Sequence, residues 1–488
     1  MARAASSRRA SVSPAKTRER TKAPHSAADS HDKNWAAGSV GSALSPIGIF
    51  ILFIAPTLCQ FLAVATSHGT TIDLSLGISG LFRACFTSFG DLAACGSTGW
   101  AAMTSISSPT FAAAQFLLCF FVLAALLDKL LPGEVCHGPV TQTGHVPAYV
   151  DNAVLHCILF SLCFFIGSNF VLGIFRFDVI YEVFPAAILM LNAFGFCLGA
   201  VLNWKGLHAP STRDCGSTGS WLDDFKWGTE LYPRILGFDV KRLINCRISM
   251  TLWQLAGLSF AYKSYLLHGA IDYGLLLSAI SQYLYLAKFF VWEIGYMKSI
   301  DIIVDRAGFE IQWGCLVFVP SIYTLHSRMS VQSPSRLSLP VAACIFAVGL
   351  AGVYLNWFAD EQRQAFRESN GKMLIGGRPP IHVKARYTCA GTGNGGRSQQ
   401  KTALLLADGM WGPARHFHYV FELIAAWSWC LLANPIVNGT FACTYAIFLT
   451  LLLLHRAKRD EDKCLAKYGD DYRKLMALVP YRIFPGVY

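Results

Sequence analysis

The densest set of charged and polar side chains in the 488-residue chain stands near its end: His455-Arg456, Arg459-Asp460-Glu461, Cys464 and Lys467-Tyr468-Gly469. Arg456, Arg459, Asp460, Cys464 and Lys467 recur at i, +3, +4, +8 and +11. On a continuous helix all five share one face. Three cations beside one carboxylate suit a polyanion that also carries a ribose or amide group. An interfacial helix with solvated cations would have the same pattern. A second pair, Arg363 and Arg367, is spaced i, i+4 and stacks on one helical face. Two guanidiniums there can grip a phosphate, although a plain surface helix fits the spacing too. A third segment, Asp408-Gly409-Met410-Trp411-Gly412-Pro413-Ala414-Arg415-His416-Phe417-His418-Tyr419, supplies flat rings and edge donors. These suit an adenine or nicotinamide ring, or equally an aromatic belt at a membrane surface. His416 and His418 have no third ligand nearby, so no metal site is expected.

A different kind of polarity interrupts the apolar run 272–298. Tyr285, Lys288, Trp292 and Tyr296 fall at i, +3, +7 and +11, with Glu293 beside them. Ionisable groups within a membrane helix usually face a cavity or a partner and mark function. The alternatives are a mutually satisfied structural pair or a lysine snorkelling to the interface.

The elements that must position these groups are written in the hydropathy. The chain is 53% hydrophobic and only 15% charged, against roughly 25% charged in a soluble domain. Charge-free stretches alternate with short charged ones. A hydrocarbon core of about 30 Å needs roughly 20 apolar helical residues per crossing. Segments of that kind lie at about 46–66, 111–131, 153–175, 182–203, 247–268, 272–298, 308–326, 339–358, 415–434 and 440–455. The expected fold is therefore an all-α integral membrane protein of about ten transmembrane helices. A small cytosolic loop with a hairpin and a C-terminal cofactor-binding region complete it. Basic flanks at both ends place both termini in the cytosol, and ten crossings agree with that. Residues 1–40 read as a disordered basic tail and 41–488 as one polytopic domain, with its cofactor half at about 270–488. The net charge of +11 sits largely beside apolar runs, so it reads as topology and anion binding rather than nucleic-acid binding.

The long polar stretch 359–414 should hold strands at 382–389 and 401–407 around Gly391-Thr392-Gly393-Asn394-Gly395-Gly396. Formally this is GxGxxG. No helix opens after it and no acid follows about 20 residues on, so it reads as a turn rather than a dinucleotide fingerprint. Most of the 16 cysteines lie in apolar runs and read as small buried hydrophobes in a reducing compartment. The sequon Asn438-Gly439-Thr440 is pressed between two spans and should go unglycosylated.

The run His455-Arg456, Arg459-Asp460-Glu461, Cys464, Lys467-Tyr468-Gly469, Val479-Pro480-Tyr481-Arg482, Pro485-Gly486 and Tyr488 resembles the signature of the sterol C14/Δ7 reductases. Gly228-Thr229-Glu230-Leu231-Tyr232-Pro233-Arg234, Asp301-Ile302, Asp305, Gly308-Phe309, Trp313-Gly314 and Tyr323-Thr324-Leu325 extend the likeness over roughly 45–488. The strings Asp305-Arg306-Ala307-Gly308-Phe309, Gln362-Arg363-Gln364-Ala365-Phe366-Arg367, Asn370-Gly371-Lys372 and Ala414-Arg415-His416-Phe417-His418-Tyr419 resemble the Δ7-reducing branch, in particular its plant-like form.

That resemblance implies NADPH as cofactor, held by Arg363, Arg367, Leu406, Trp411, His418, Tyr419, Arg456, Arg459, Asp460, Cys464, Lys467 and Tyr468. Relatives often carry Asn at 418, Trp at 410 and 472, and an aromatic at 475; here His418, Met410, Tyr472 and Leu475 stand there, so Leu475 is not counted. The implied reaction saturates the Δ7 bond of a sterol 5,7-diene, with Tyr285, Asp460 and, as a third candidate, Glu293 serving catalysis. A buried carboxyl would stay protonated and able to donate. The resemblance further implies an endoplasmic-reticulum membrane, a sterol entering from the bilayer, surrounding membrane lipid, and association with other sterol-pathway enzymes. Three readings stay open beside it: a Δ14-sterol reductase, a membrane methyltransferase of the isoprenylcysteine type, and a non-enzymatic scaffold.

Overall fold

The computed structural model describes residues 42–67, 110–141, 143–389 and 399–488. The expected basic tail 1–40 and the glycine turn 391–396 lie outside them. The described chain is mostly helical, with three two-stranded antiparallel hairpins. Among the described residues six helices are long and apolar enough to cross a membrane: Pro46–Ala65, Phe111–Leu130, Val179–His208, Tyr273–Val291, Leu339–Glu368 and Thr440–Tyr468. Phe111–Leu130 is peripheral, with Phe111, Leu118, Leu126 and Leu130 all exposed. Such side chains match lipid rather than water.

The other four expected spans take different forms. The segment 153–175 is helical only over Ala153–Gly167, and 415–434 only over His418–Leu432. The segment 308–326 is broken into Phe309–Trp313, a wide-turn π-helical stretch Gly314–Tyr323 containing Pro320, and a new helix from Leu325. Proline removes a backbone donor and forces such a rearrangement. Met250–His268 is long enough, but Thr251, Gln254, Ser259, Lys263 and Ser264 are buried along it. Protein rather than lipid surrounds this helix, so its side chains can be polar: Gln254 bonds Cys157, and Lys263 pairs with Glu182. The segment 272–298 also changes form. Its helix stops at Val291, Trp292 leaves helical geometry, and Glu293–Tyr296 is a separate turn. The stripe from Tyr285 to Tyr296 is therefore not continuous.

Two helices approach unusually closely. A Cβ added at Gly349 would lie 2.2 Å from Ser428 Oγ, and one at Gly352 would lie 2.8 Å from the Phe421 carbonyl. This seam joins Leu339–Glu368 to His418–Leu432. At the far end of the same region Cys430 and Cys443 form a disulfide, an exception to the reading of the cysteines as unpaired. Asn438 of the sequon is buried, and its amide donates to the Ser333 and Ala433 carbonyls at 3.0 and 2.7 Å, which leaves it no room for a glycan.

Candidate functional site

Leu339–Glu368 spans 30 residues, or about 45 Å at 1.5 Å per residue, well beyond a hydrocarbon core of about 30 Å. Its last turns therefore project from the apolar slab and carry Arg363, Phe366 and Arg367. Thr444–Tyr468 does the same with Arg456 through Tyr468, as its continuous periodicity predicts. Between these two projections sit the His382–Cys389 and Gln399–Leu406 hairpin and the Asp470–Leu478 helix. The first strand matches the expected range and the second begins two residues earlier. Val383, Ala407, Tyr472, Leu475 and Val479 pack the hairpin onto the C-terminal helices.

The half-open cleft between these elements has a cavity volume of about 90 Å³. Arg363, Arg367, Leu406, Trp411, Asp460 and Cys464 line it, as do Phe366, Arg415, His416, Tyr472 and Leu475. The Arg363 guanidinium lies 4.0 Å over the Trp411 ring and pairs with Asp360 at 2.9 Å. Trp411 is fixed in turn by a 2.7 Å bond from Nε1 to the Ala359 carbonyl. Arg367 lines the same wall with no salt bridge or side-chain hydrogen bond among the described residues. Asp408 braces the approach. It accepts from the Ile381 and Gly409 amides and pairs with Arg378 at 3.0 Å. Burial works against its ionisation, but those donors outweigh it and hold the carboxyl below the usual range.

Asp460 faces His416, with Nε2 and Oδ2 3.2 Å apart and Cys464 Sγ 3.9 Å from the same oxygen. The His416 ring stacks on Tyr419 at 5.3 Å, and His418 packs on Trp411 at 4.6 Å. The Nδ1 atoms of His416 and His418 are buried without a partner. Glu461, one residue on, is bound by Arg415 at 2.6 Å and Arg482 at 2.8 Å. Arg415 also donates to the Val479 and Pro480 carbonyls. This clasp zips the 479–482 segment along 415–416 and so fixes His416 beside Asp460.

Not all of the expected cationic face converges on the cleft. Arg456 is taken up by Asp301 at 3.1 Å and Arg459 by Asp305 at 2.6 Å. Lys467 lies 4.3 Å over the Tyr387 ring, with Tyr468 packed edge-on against the same ring. These four residues are absent from the cleft lining.

Tyr285 is absent from the cleft lining. It lies among Trp253, Trp429, Tyr323 and Tyr445, and its hydroxyl donates to Glu422 Oε1 at 2.5 Å. Lys288, one turn on, bonds the Asn356 side chain, whose amide reaches the His418 carbonyl at 3.1 Å. Glu293 is elsewhere again. It is fully buried between Arg247 and Arg242, with Nη2 atoms at 2.9 and 3.0 Å. Asn152 and Asp128 complete that node. A carboxylate clamped by two guanidiniums is a structural anion, so the expectation that Glu293 is a protonated acid is corrected.

Three site residues escape the sequence reading. Glu422 is the single charged residue in an apolar run and satisfies the rule that drew attention to Lys288. His416 is visible within the 408–419 aromatic segment and as a rejected metal ligand, but not as the partner of Asp460. Leu475, left uncounted in the sequence reading, lines the cleft.

A profile described as the ergosterol biosynthesis ERG4/ERG24 family matches residues 98–488. The chain is 42% identical over 385 residues to a 7-dehydrocholesterol reductase of Arabidopsis thaliana, covering 78% of this chain and 86% of that one. It is 31% identical over 374 residues to a 7-dehydrocholesterol reductase of Xenopus laevis, covering 76% and 77%. It is also 31% identical over 383 residues to a Delta(14)-sterol reductase of Methylotuvimicrobium alcaliphilum, covering 78% and 85%.

Proposed function

The chain belongs to the ergosterol biosynthesis ERG4/ERG24 family and is a sterol reductase of the membrane; on that premise we propose that it uses NADPH to saturate the Δ7 bond of 7-dehydrocholesterol or a related 5,7-dienol. The 42% identity to the plant Δ7 enzyme, against 31% to the bacterial Δ14 enzyme, favours Δ7. The Δ14 reading stays second, because the frog Δ7 enzyme is no closer than the bacterial Δ14 one. Sterol profiling of a yeast host supplied with each diene separates the two: loss of the 5,7-diene alone is expected, and loss of the Δ14 substrate alone would overturn the choice.

The cleft suits a phosphorylated dinucleotide. Among the described residues Arg367 forms no salt bridge or side-chain hydrogen bond, Arg363 is stacked one turn away, and two imidazole Nδ1 atoms lack partners. Arg363, Arg367, Leu406, Trp411, His418, Tyr419, Asp460 and Cys464 would hold the cofactor, with Arg456, Arg459, Lys467 and Tyr468 stiffening the walls. When bound, it supplies hydride. An unactivated ring alkene takes hydride only if a proton reaches the other carbon. On this reading Tyr285 would give that proton from within the bundle, and Asp460, held beside His416, would anchor the cofactor side. The sterol's flat body enters from the bilayer.

Loss of one charge-assisted pair costs on the order of 1.5–3 kcal/mol, or roughly ten- to a hundredfold in affinity. Arg363→Ala should therefore raise the Michaelis constant for NADPH by that factor and leave that for NADH nearly unchanged. An unchanged NADPH constant would make Arg363 a surface charge.

For the topology we propose ten crossings, with both termini on the cytosolic face of the endoplasmic reticulum. Basic flanks at both ends of the chain support this orientation. Terminal tags should be accessible after permeabilising the plasma membrane alone. A lumenal end would break the scheme. We further take 41–488 as one reductase domain whose cofactor half begins near 270, in the company of other sterol-pathway enzymes.

A further inference from the structure

We propose that Glu422 is the proton source behind Tyr285, an inference that rests on the sterol-reductase reading above. Glu422 lies in the apolar helix His418–Leu432 and forms no salt bridge among the described residues. Its contact is the hydroxyl of Tyr285, at 2.5 Å. Glu293 makes the contrast plain. A carboxylate meant to stay ionised in this protein is given two arginines. Glu422, half-buried in its apolar helix, instead has a phenol hydroxyl as its polar contact, a group with which a carboxyl can exchange a proton.

The surroundings favour transfer in one direction. Trp253 and Trp429 pack on Tyr285 with ring centroids at 5.8 and 5.3 Å. Their indole N–H groups are turned away, to Gln282 Oε1 at 2.8 Å and Ser281 Oγ at 2.9 Å. Neither competes for the Tyr285 oxygen. Lys288 stands over the other side, 5.7 Å from the Tyr285 ring centroid, and its ammonium is committed to Asn356. Among the described residues Tyr285 Oη thus has one polar partner, and that partner is an acid.

The step balances as follows. As hydride joins one alkene carbon, the Tyr285 O–H bond breaks and its proton forms the new C–H bond on the other. The phenolate oxygen takes the proton of the Glu422 carboxyl, and the resulting carboxylate regains one from water. Glu422 acts through Tyr285 and does not touch the sterol, so it is a positioning and proton-supplying residue.

The test uses full-length protein in lipid nanodiscs with a sterol 5,7-diene and NADPH. Glu422→Gln preserves an acceptor for the Tyr285 hydroxyl and removes the acidic proton. Its kcat should fall roughly 100-fold, the low end for a lost proton donor, with KM for the sterol and for NADPH unchanged. The double variant with Tyr285→Phe should be no slower than Tyr285→Phe alone, because both act in one path. Wild-type kcat in Glu422→Gln, or losses that multiply in the double variant, would overturn the proposal. If Glu422→Gln does not fold, Glu422→Asp carries the test. Its shorter acid should lower kcat without changing KM, and an unchanged kcat overturns the idea. A wild-type protein that leaves the diene untouched would instead refute the Δ7 reading itself.

Discussion

Replacing Tyr285 with phenylalanine should lower turnover about 10²–10⁴-fold, the usual contribution of a positioned general acid, while NADPH affinity stays unchanged. The substitution removes one oxygen from a ring whose packing on Trp253 and Trp429 is otherwise preserved. Tyr285 does not line the cleft that holds Arg363 and Arg367, so cofactor binding has no reason to respond. Dinucleotide titration followed by protein fluorescence checks the binding. Product formation at saturating NADPH checks the chemistry. Wild-type turnover in folded Tyr285→Phe protein would move the proton donor to another group, with Asp460 next in position.

The second large effect concerns stability. Glu293→Gln should destabilise the fold by about 3–5 kcal/mol, the cost of leaving one side of a buried ion pair uncompensated. Arg247 and Arg242 are both buried, and their guanidiniums converge on this one carboxylate. With Gln in its place, Asp128 is left to serve both cations, at 3.2 and 3.5 Å. The expected readout is loss of monodisperse protein after mild heating, or failure to accumulate at all. Folded Glu293→Gln protein with normal thermal stability and lost turnover would restore Glu293 to the catalytic candidates.

These two residues illustrate how far the amino-acid pattern reaches. Both lie in one apolar run, and the membrane-helix rule singles out both as functional. It cannot tell them apart, because the difference lies in partners supplied from far along the chain. Glu293 meets Arg242 and Arg247, which precede it by 51 and 46 residues. Tyr285 meets Glu422, 137 residues later. The i, i+4 pair Arg363 and Arg367 was legible because its geometry is local to one helix. The C-terminal cationic face was legible as a helix and misleading as a single binding surface, since Asp301 and Asp305 reach across from elsewhere to claim Arg456 and Arg459. Hydropathy located the apolar segments but overstated their uniformity. Helices wrapped by protein keep polar side chains that a lipid-facing helix cannot. The hairpin was legible from its alternation and turn residues, and its role as a wall of the cleft was not.

The glycine seam has a consequence for regiochemistry. On the roles proposed above, the helix bearing Arg363 and Arg367 anchors the hydride donor, while its neighbour bears Glu422, the partner of the proton donor. Gly349 and Gly352 let these two rods touch backbone to side chain and backbone to backbone, so the seam sets the pitch between the two delivery points. Addition across a double bond succeeds only where that pitch matches the spacing and tilt of the two alkene carbons in a rigid ring system. Which rung of the steroid skeleton is saturated is then a matter of alignment along one joint, and a methyl group added at Gly352 would retune bond choice without touching any reacting residue.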